Sequence, residues 1–250
     1  MRDRFKITPR MTLFFISILL VLSAYPAIAA NGKSDNSVDW FFPEWAAKAK
    51  YNEPIAVRDT DSALGRYSLK TKEISLKDLA RIHGHLCDGL VISYIEIKAV
   101  LKKLFPDGVV DRTDLRAVSK NGPCWVDTVL MMTGSRINFQ TLRIEASIGD
   151  GFIIQRISTG EAYDVHLKPG VFPADQAALE GNMRKMRSEG KPVTAEEINK
   201  VEKMADALSE KLLNSSPDDI LNIKPLTGYK FSFTDMFGNR GDVVNKSMPR

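Results

Sequence analysis

The chain has 250 residues and a formal net charge of +4. The first 29 residues hold four basic residues and one acidic residue, so the rest of the chain carries a charge near +1. So small a charge leaves no basic stripe for nucleic acid and no acidic tail, and about 220 residues suffice for one large domain.

The N-terminal segment has the three parts of a secretion signal. Its start is basic, an apolar run follows over residues 11–24, and Ala27-Ile28-Ala29 offers small residues at a cleavage site. The run is shorter than the roughly 20 residues that cross a bilayer. We therefore predict a signal peptide over residues 1–29 and a periplasmic or secreted protein that is not held in the membrane after cleavage. An uncleaved anchor is the alternative.

Residues 30–69 are polar and predict an irregular linker or extension that docks an aromatic island on the domain. The island contains Trp40, Phe41, Phe42 and Trp45. We place the core at residues 70–175. A helical section over residues 176–250 is expected to complete the same domain.

The helix signals begin at Ser75. Ser75 and Asp78 resemble a capping box, and Gly84 can end the short helix that follows. Residues 88–105 are apolar around most of a helix, which is typical of a buried helix. A third helix is predicted from Trp125 to a stop at Gly134. Thr194 and Glu197 form a second capping box, before a helix with an apolar stripe.

Strands are predicted between these helices. They cover residues 115–119, 142–148, 152–157 and 163–167, with a hairpin turn at Gly149-Asp150-Gly151 and edge strands over 219–226 and 229–233. The fold class is therefore α+β. We expect a single core domain with an antiparallel or mixed sheet and packed helices.

The residues that carry chemistry lie in two short segments. His83, His85 and Cys87 alternate in the first segment, and Cys124 and Asp127 lie in the second. His83 and Cys87 meet on one face whether the segment is helical or extended. His85 joins them only if the segment is extended or kinked, and Gly84 permits a kink.

Both cysteines precede predicted helices, where the helix dipole stabilises a thiolate. Two thiolates beside imidazoles suit a borderline-soft metal such as Zn²⁺. Asp127 is a candidate ligand, hydrogen-bonding partner of a histidine, or general base. A Cys87–Cys124 disulfide or a redox thiol pair are the alternatives, because an exported protein commonly pairs its cysteines. His166 lies on a predicted strand and is a weak candidate.

The two motifs resemble those of the E-subunit family of formylmethanofuran dehydrogenase, over roughly residues 70–170. His83-Gly84-His85-Leu86-Cys87-Asp88-Gly89 is similar to its first motif, with Asp88 in place of proline. The second motif is similar to residues 121–134. The resemblance implies an α+β core that is often dimeric, with His83, His85, Cys87 and Cys124 as metal ligands and Asp127 beside them. No Cys follows Cys124, so the C-terminal zinc domain of some members is absent.

The sequence thus predicts an exported metal-binding protein with a zinc or other transition-metal cofactor and an unknown small-molecule ligand. Asp127 is the candidate catalytic base if the protein is an enzyme. A non-catalytic metal carrier or sensor is the alternative. The apolar helices and the aromatic island leave room for a homodimer interface.

Overall fold

A long buried helix, α3, lies at the centre of the fold. In the computed structural model, which describes residues 39–233 and 246–247, α3 spans Asp88–Leu104. It packs against the main sheet on one side and against two other helices on the other. Residues on every face of α3 are buried, as its all-round apolar sequence predicts.

The main sheet has five strands in the order β5-β4-β6-β7-β8. The strands are β4 (Leu115–Ser119), β5 (Leu142–Ile144), β6 (Gly151–Arg156), β7 (Ala162–Leu167) and β8 (Leu221–Pro225). β4 and β5 are parallel, and the other neighbours are antiparallel. The mixed sheet with packed helices confirms the predicted α+β class.

The predicted hairpin at Gly149-Asp150-Gly151 is wrong. β5 ends at Ile144 and pairs in parallel with β4, whereas β6 pairs with the other edge of β4 and with β7. A short 3-10 turn, Ala146–Ile148, replaces the end of the predicted strand. Alternating polarity predicts a strand and the face it buries, but it does not identify the neighbouring strand.

A second sheet has three strands in the order β2-β1-β3. They are β1 (Ile55–Arg58), β2 (Lys72–Ile74) and β3 (Val109–Asp111). β1 lies in the region that we predicted to be an irregular linker, and it buries Ile55 and Val57. Of the aromatic island, Phe42 is buried in the core while Trp40 is 86% exposed.

Six further helices complete the described part of the chain. They are α1 (Glu44–Ala47), α2 (Leu76–His83), α4 (Pro123–Thr133), α5 (Ala174–Ser188), α6 (Ala195–Asn214) and α7 (Pro217–Ile220). Both predicted capping boxes are present, at Ser75 and at Thr194. No helix within residues 39–233 is long and apolar enough to cross a membrane. The predicted strand over residues 229–233 is irregular, and the predicted signal peptide lies outside the described residues.

Glu96 is a carboxyl group buried in the middle of α3. The side chain is fully buried, and neither oxygen has a hydrogen-bonding partner among the described residues. Burial raises the pKa of Glu96 well above its ordinary value, because the charged form loses its hydration. The folded protein therefore holds a proton at Glu96 that the unfolded chain releases at neutral pH.

We expect the Glu96→Gln variant to show a flatter dependence of stability on pH. A group that is protonated only in the folded state makes stability fall as pH rises above its unfolded pKa, by at most about 1.4 kcal/mol per pH unit. The amide keeps the shape of the protonated acid and removes this loss. Urea unfolding between about pH 5 and 8 measures it. Glu202→Gln, on the exposed face of α6, is the control, and an unchanged slope in Glu96→Gln would contradict the assignment.

Candidate metal centre

The first motif occupies the gap between two helices. α2 ends at His83, and Gly84 has a left-handed backbone with φ of 105°, a conformation that favours glycine. Cys87 is then the N-cap of α3, with an extended backbone. The kink predicted at Gly84 is therefore present, and it turns the chain so that His83 and Cys87 face a common point.

Cys124 approaches the same point from the first turn of α4. Its Sγ lies 3.5 Å from the Sγ of Cys87 and 3.7 Å from Nε2 of His83. The Cys87 Sγ lies 3.9 Å from the same nitrogen. Two segments that are separated by about 35 residues in sequence thus bring three soft or borderline donor atoms together.

These three distances match one face of a tetrahedral zinc site. With Zn–S bonds of about 2.3 Å and Zn–N bonds of about 2.0–2.1 Å, a tetrahedron separates two sulfurs by about 3.8 Å and a sulfur from a nitrogen by about 3.6 Å. The observed separations of 3.5, 3.7 and 3.9 Å are within a few tenths of an ångström of these values. The donor set therefore fits a tetrahedral metal ion.

His85 lies at the solvent side of this cluster. Donor atoms of His83, His85 and Cys87 all lie within 4.8 Å of one another. The rings of His83 and His85 are 5.0 Å apart at their centroids. His85 is exposed, whereas the side chain of His83 is only 6% exposed. Of these histidines, His85 is thus the one that solvent or a ligand can displace.

Asp127 contacts the opposite nitrogen of His83. Its Oδ2 lies 2.8 Å from Nδ1, so the proton of the imidazole is held at Nδ1 and the lone pair of Nε2 points toward the sulfurs. Carboxylates commonly orient metal-binding histidines in this way. The geometry favours this role among the three that we considered for Asp127. Its role as a general base stays a prediction.

The two thiols share a proton. The hydrogen bond from the Cys87 thiol lowers the pKa of Cys124. The same hydrogen bond, followed by burial, raises the pKa of Cys87. We predicted that helix N-termini would favour both thiolates, and Cys87 departs from this because ionising it would place two anionic sulfurs side by side without a cation. Both cysteines are free, and their 3.5 Å separation exceeds the roughly 2.05 Å of a disulfide bond.

Gly89 is the last residue of the first motif, and it lies against Cys124. A Cβ at Gly89 would be 2.9 Å from the Cys124 Sγ and 3.3 Å from the Trp125 ring. Contacts this short force the neighbour to move. Glycine is therefore required here if the Cys124 sulfur is to reach the cluster.

His166 does not join the cluster. It lies on β7 opposite Gly151 of β6, and its Nε2 is 2.7 Å from the Oδ1 of Asp164. Asp164 and His166 alternate with the buried Val165, so both side chains lie on the sheet face that points away from α3. The interpretation of His166 as a weak candidate agrees with this position.

Sequence reasoning missed the residues that line a cavity beside Cys124. The Nζ of Lys120 lies 3.4 Å from the centroid of the Trp125 ring. Gln176, on a helix that we did not predict separately, donates to Asp88 over 2.6 Å. The turn at Gly122-Pro123 and the Trp125 ring were visible in the sequence. The approach of α5 was not, because it depends on long-range packing.

Comparisons with known proteins agree with the two motifs. The family model described as FmdE, molybdenum formylmethanofuran dehydrogenase operon, matches residues 82–222. The search of curated proteins gave no match. A solved structure of an FmdE-like protein of the tungsten formylmethanofuran dehydrogenase, from Syntrophus aciditrophicus, is 17% identical. The match covers 65% of this chain and 76% of that chain, with a TM-score of 0.35.

Proposed function

Because the chain belongs to the FmdE family, whose model matches more than half of it, we propose that it is an exported metal-binding protein with a zinc site. The ligands are His83, Cys87 and Cys124. The spacing of their donor atoms, between 3.5 and 3.9 Å, carries the proposal. One imidazole and two sulfurs form a borderline-soft set that suits zinc among the common biological metals.

His85 is the exchangeable fourth ligand in this proposal. It is exposed, and its donor atom lies within 4.8 Å of those of His83 and Cys87. Asp127 orients His83 through the 2.8 Å contact at Nδ1. Zinc with an exchangeable position supplies a Lewis acid for a bound oxygen atom. The role of the protein is to hold the ligand set and to leave one position accessible.

The cavity beside Cys124 favours a function that involves a small-molecule ligand. It has a volume of about 760 Å³ and includes Gly89, Cys124 and Trp125 in its wall. Small-molecule sites typically have volumes of roughly 300–1,000 Å³. A metal with an exchangeable position next to such a cavity suits an enzyme, in which Asp127 is the candidate base.

A metal carrier or sensor is the second candidate, and the exposure of His85 favours it. A carrier releases its metal to a chelator at micromolar concentration and gains nothing from the cavity. The basic start, the apolar run and the Ala-Ile-Ala site support export to the periplasm or secretion. We extend the proposal to a homodimer, which the family resemblance implies.

The test measures metal content and free thiols together, on mature protein that is purified from its native compartment without chelator. We expect about one zinc per chain, with both thiols becoming reactive only after the metal is removed. Protein without metal, whose thiols appear only after a reductant is added, would instead indicate a Cys87–Cys124 disulfide and contradict the proposal.

A further inference from the structure

The cavity beside the metal cluster has a continuous wall that runs from sulfur to a lysine. Gly89 separates the Cys124 Sγ from the Trp125 ring, and the Trp125 ring carries Lys120 on its face. The opposite wall comes from α5 and the residues before it. The residues of this opposite wall are Phe172, Ala177, Glu180 and Arg184. A ligand in this space touches the metal cluster at one end and a cation at the other.

The carboxylates of the cavity already have donors. Asp88 accepts hydrogen bonds from Gln176 over 2.6 Å and from the Gly89 N–H over 2.8 Å. Glu180 accepts from Gln176 over 2.9 Å and from Arg184 over 3.2 Å. These acceptors are therefore occupied, and they leave little capacity to bind a cationic ligand.

The unmet capacity in the wall belongs to donors. The indole Nε1 of Trp125 is buried and has no hydrogen-bonding partner among the described residues. Lys120 is paired with Asp150, but the Asp150 side chain is 72% exposed. Exposed ion pairs contribute only about 0–1 kcal/mol, so a ligand carboxylate can replace Asp150 at little cost.

Two helix N-termini add positive potential at the sulfur end. α3 and α4 both begin at the cavity, with Gly89 and Cys124 in their first turns, and neither N-cap side chain accepts a hydrogen bond. Uncapped N–H groups and the helix dipole favour a negative charge nearby. The apolar residues Ile92 and Phe172 leave room for a short hydrocarbon segment.

We infer that this cavity binds a small organic carboxylate. The carboxylate takes the place of Asp150 on Lys120, and the other end of the ligand reaches the cluster of His83, Cys87 and Cys124. The inference rests on the proposed function, because the second contact requires the metal. It makes Lys120 the residue that selects an anionic ligand.

The experiment uses the full mature chain loaded with Co²⁺, whose visible absorption reports thiolate ligation. Mercaptopropionate and mercaptobutyrate are titrated against the uncharged mercaptopropanol and mercaptobutanol, and the change in absorption gives each Kd. We expect at least one mercaptocarboxylate to bind about tenfold more tightly than its matched alcohol. Lys120→Met, which keeps the aliphatic contact with Trp125, should abolish this preference.

Lys168→Met is the matched control. Lys168 lines an adjoining cavity, and its Nζ is bound to the Asp218 carbonyl, so its removal changes the net charge equally and should leave the preference intact. Equal affinities for acids and alcohols in the wild type would overturn the inference while the cobalt–thiolate absorption still supports the metal site. So would a preference that survives Lys120→Met. Absence of that absorption would overturn the proposed metal site together with the inference.

Discussion

Cys124→Ser is expected to lose zinc binding almost completely while the chain stays folded. The Cys124 sulfur lies 3.5 and 3.7 Å from the other two donor atoms, and serine offers a hard, weakly acidic oxygen in place of a thiolate. Loss of an outer hydrogen-bonding partner alone weakens metal binding 10–100-fold, so loss of this ligand should exceed about 100-fold. Competition with a calibrated zinc chelator measures the Kd.

His166→Ala provides the comparison for this variant. His166 is the third histidine of the chain, and it pairs with Asp164 on the sheet face away from α3. Its removal should leave the zinc affinity unchanged within about twofold, since additivity holds for distant sites. If Cys124→Ser retained wild-type affinity, the site would have to consist of His83, His85 and Cys87 alone. The pairing of the two motifs would then have no role in metal binding.

The sequence predicts the local geometry of the metal centre better than its surroundings. The capping box at Ser75 and the stop at Gly84 place His83 at a helix end, and Cys87 then falls at the start of α3. These features depend on hydrogen bonds within a few residues, which sequence patterns report directly. For the same reason, the convergence of His83 and Cys87 is expected in either helix or strand.

The pairing of strands and the walls of the cavity are beyond such patterns. Residues 142–144 alternate in polarity, yet they pair in parallel with β4 and not with β6 across Gly149-Asp150-Gly151. The contact between Gln176 and Asp88 joins residues 88 positions apart. Both depend on which surfaces of α3 and β4 remain uncovered when the chain collapses, and a single sequence does not state this.

The placement of Asp127 shows how the two kinds of information combine. Its position three residues after Cys124 puts it on the same face of α4. The sequence alone leaves three roles open for that face. The 2.8 Å contact with Nδ1 of His83 depends on α2 and α4 packing together, and it selects the role of orienting the imidazole.

Gly151→Ala is expected to destabilise the protein strongly. A Cβ at Gly151 would lie closer than 3.0 Å to the His166 ring and to the carbonyl oxygen of Val165. The carbonyl belongs to β7, which pairs with β6 over five residue pairs from Gly151 to Gln155, so it cannot retreat without disturbing the ladder. Overpacking typically costs about 1–3 kcal/mol and more where backbone must move. We expect a loss of about 3 kcal/mol in urea unfolding.

Gly181→Ala is the matched control, because it adds the same methyl group where nothing lies within 4 Å. Gly181 is on the exposed side of α5, and alanine there should stabilise the helix by about 0.5–1 kcal/mol. His166→Ala separates the two clashes. In that background Gly151→Ala should cost less, but the clash with the Val165 carbonyl should remain. Equal stabilities of Gly151→Ala and the wild type would mean that β6 and β7 are not as closely paired at this end as their register requires.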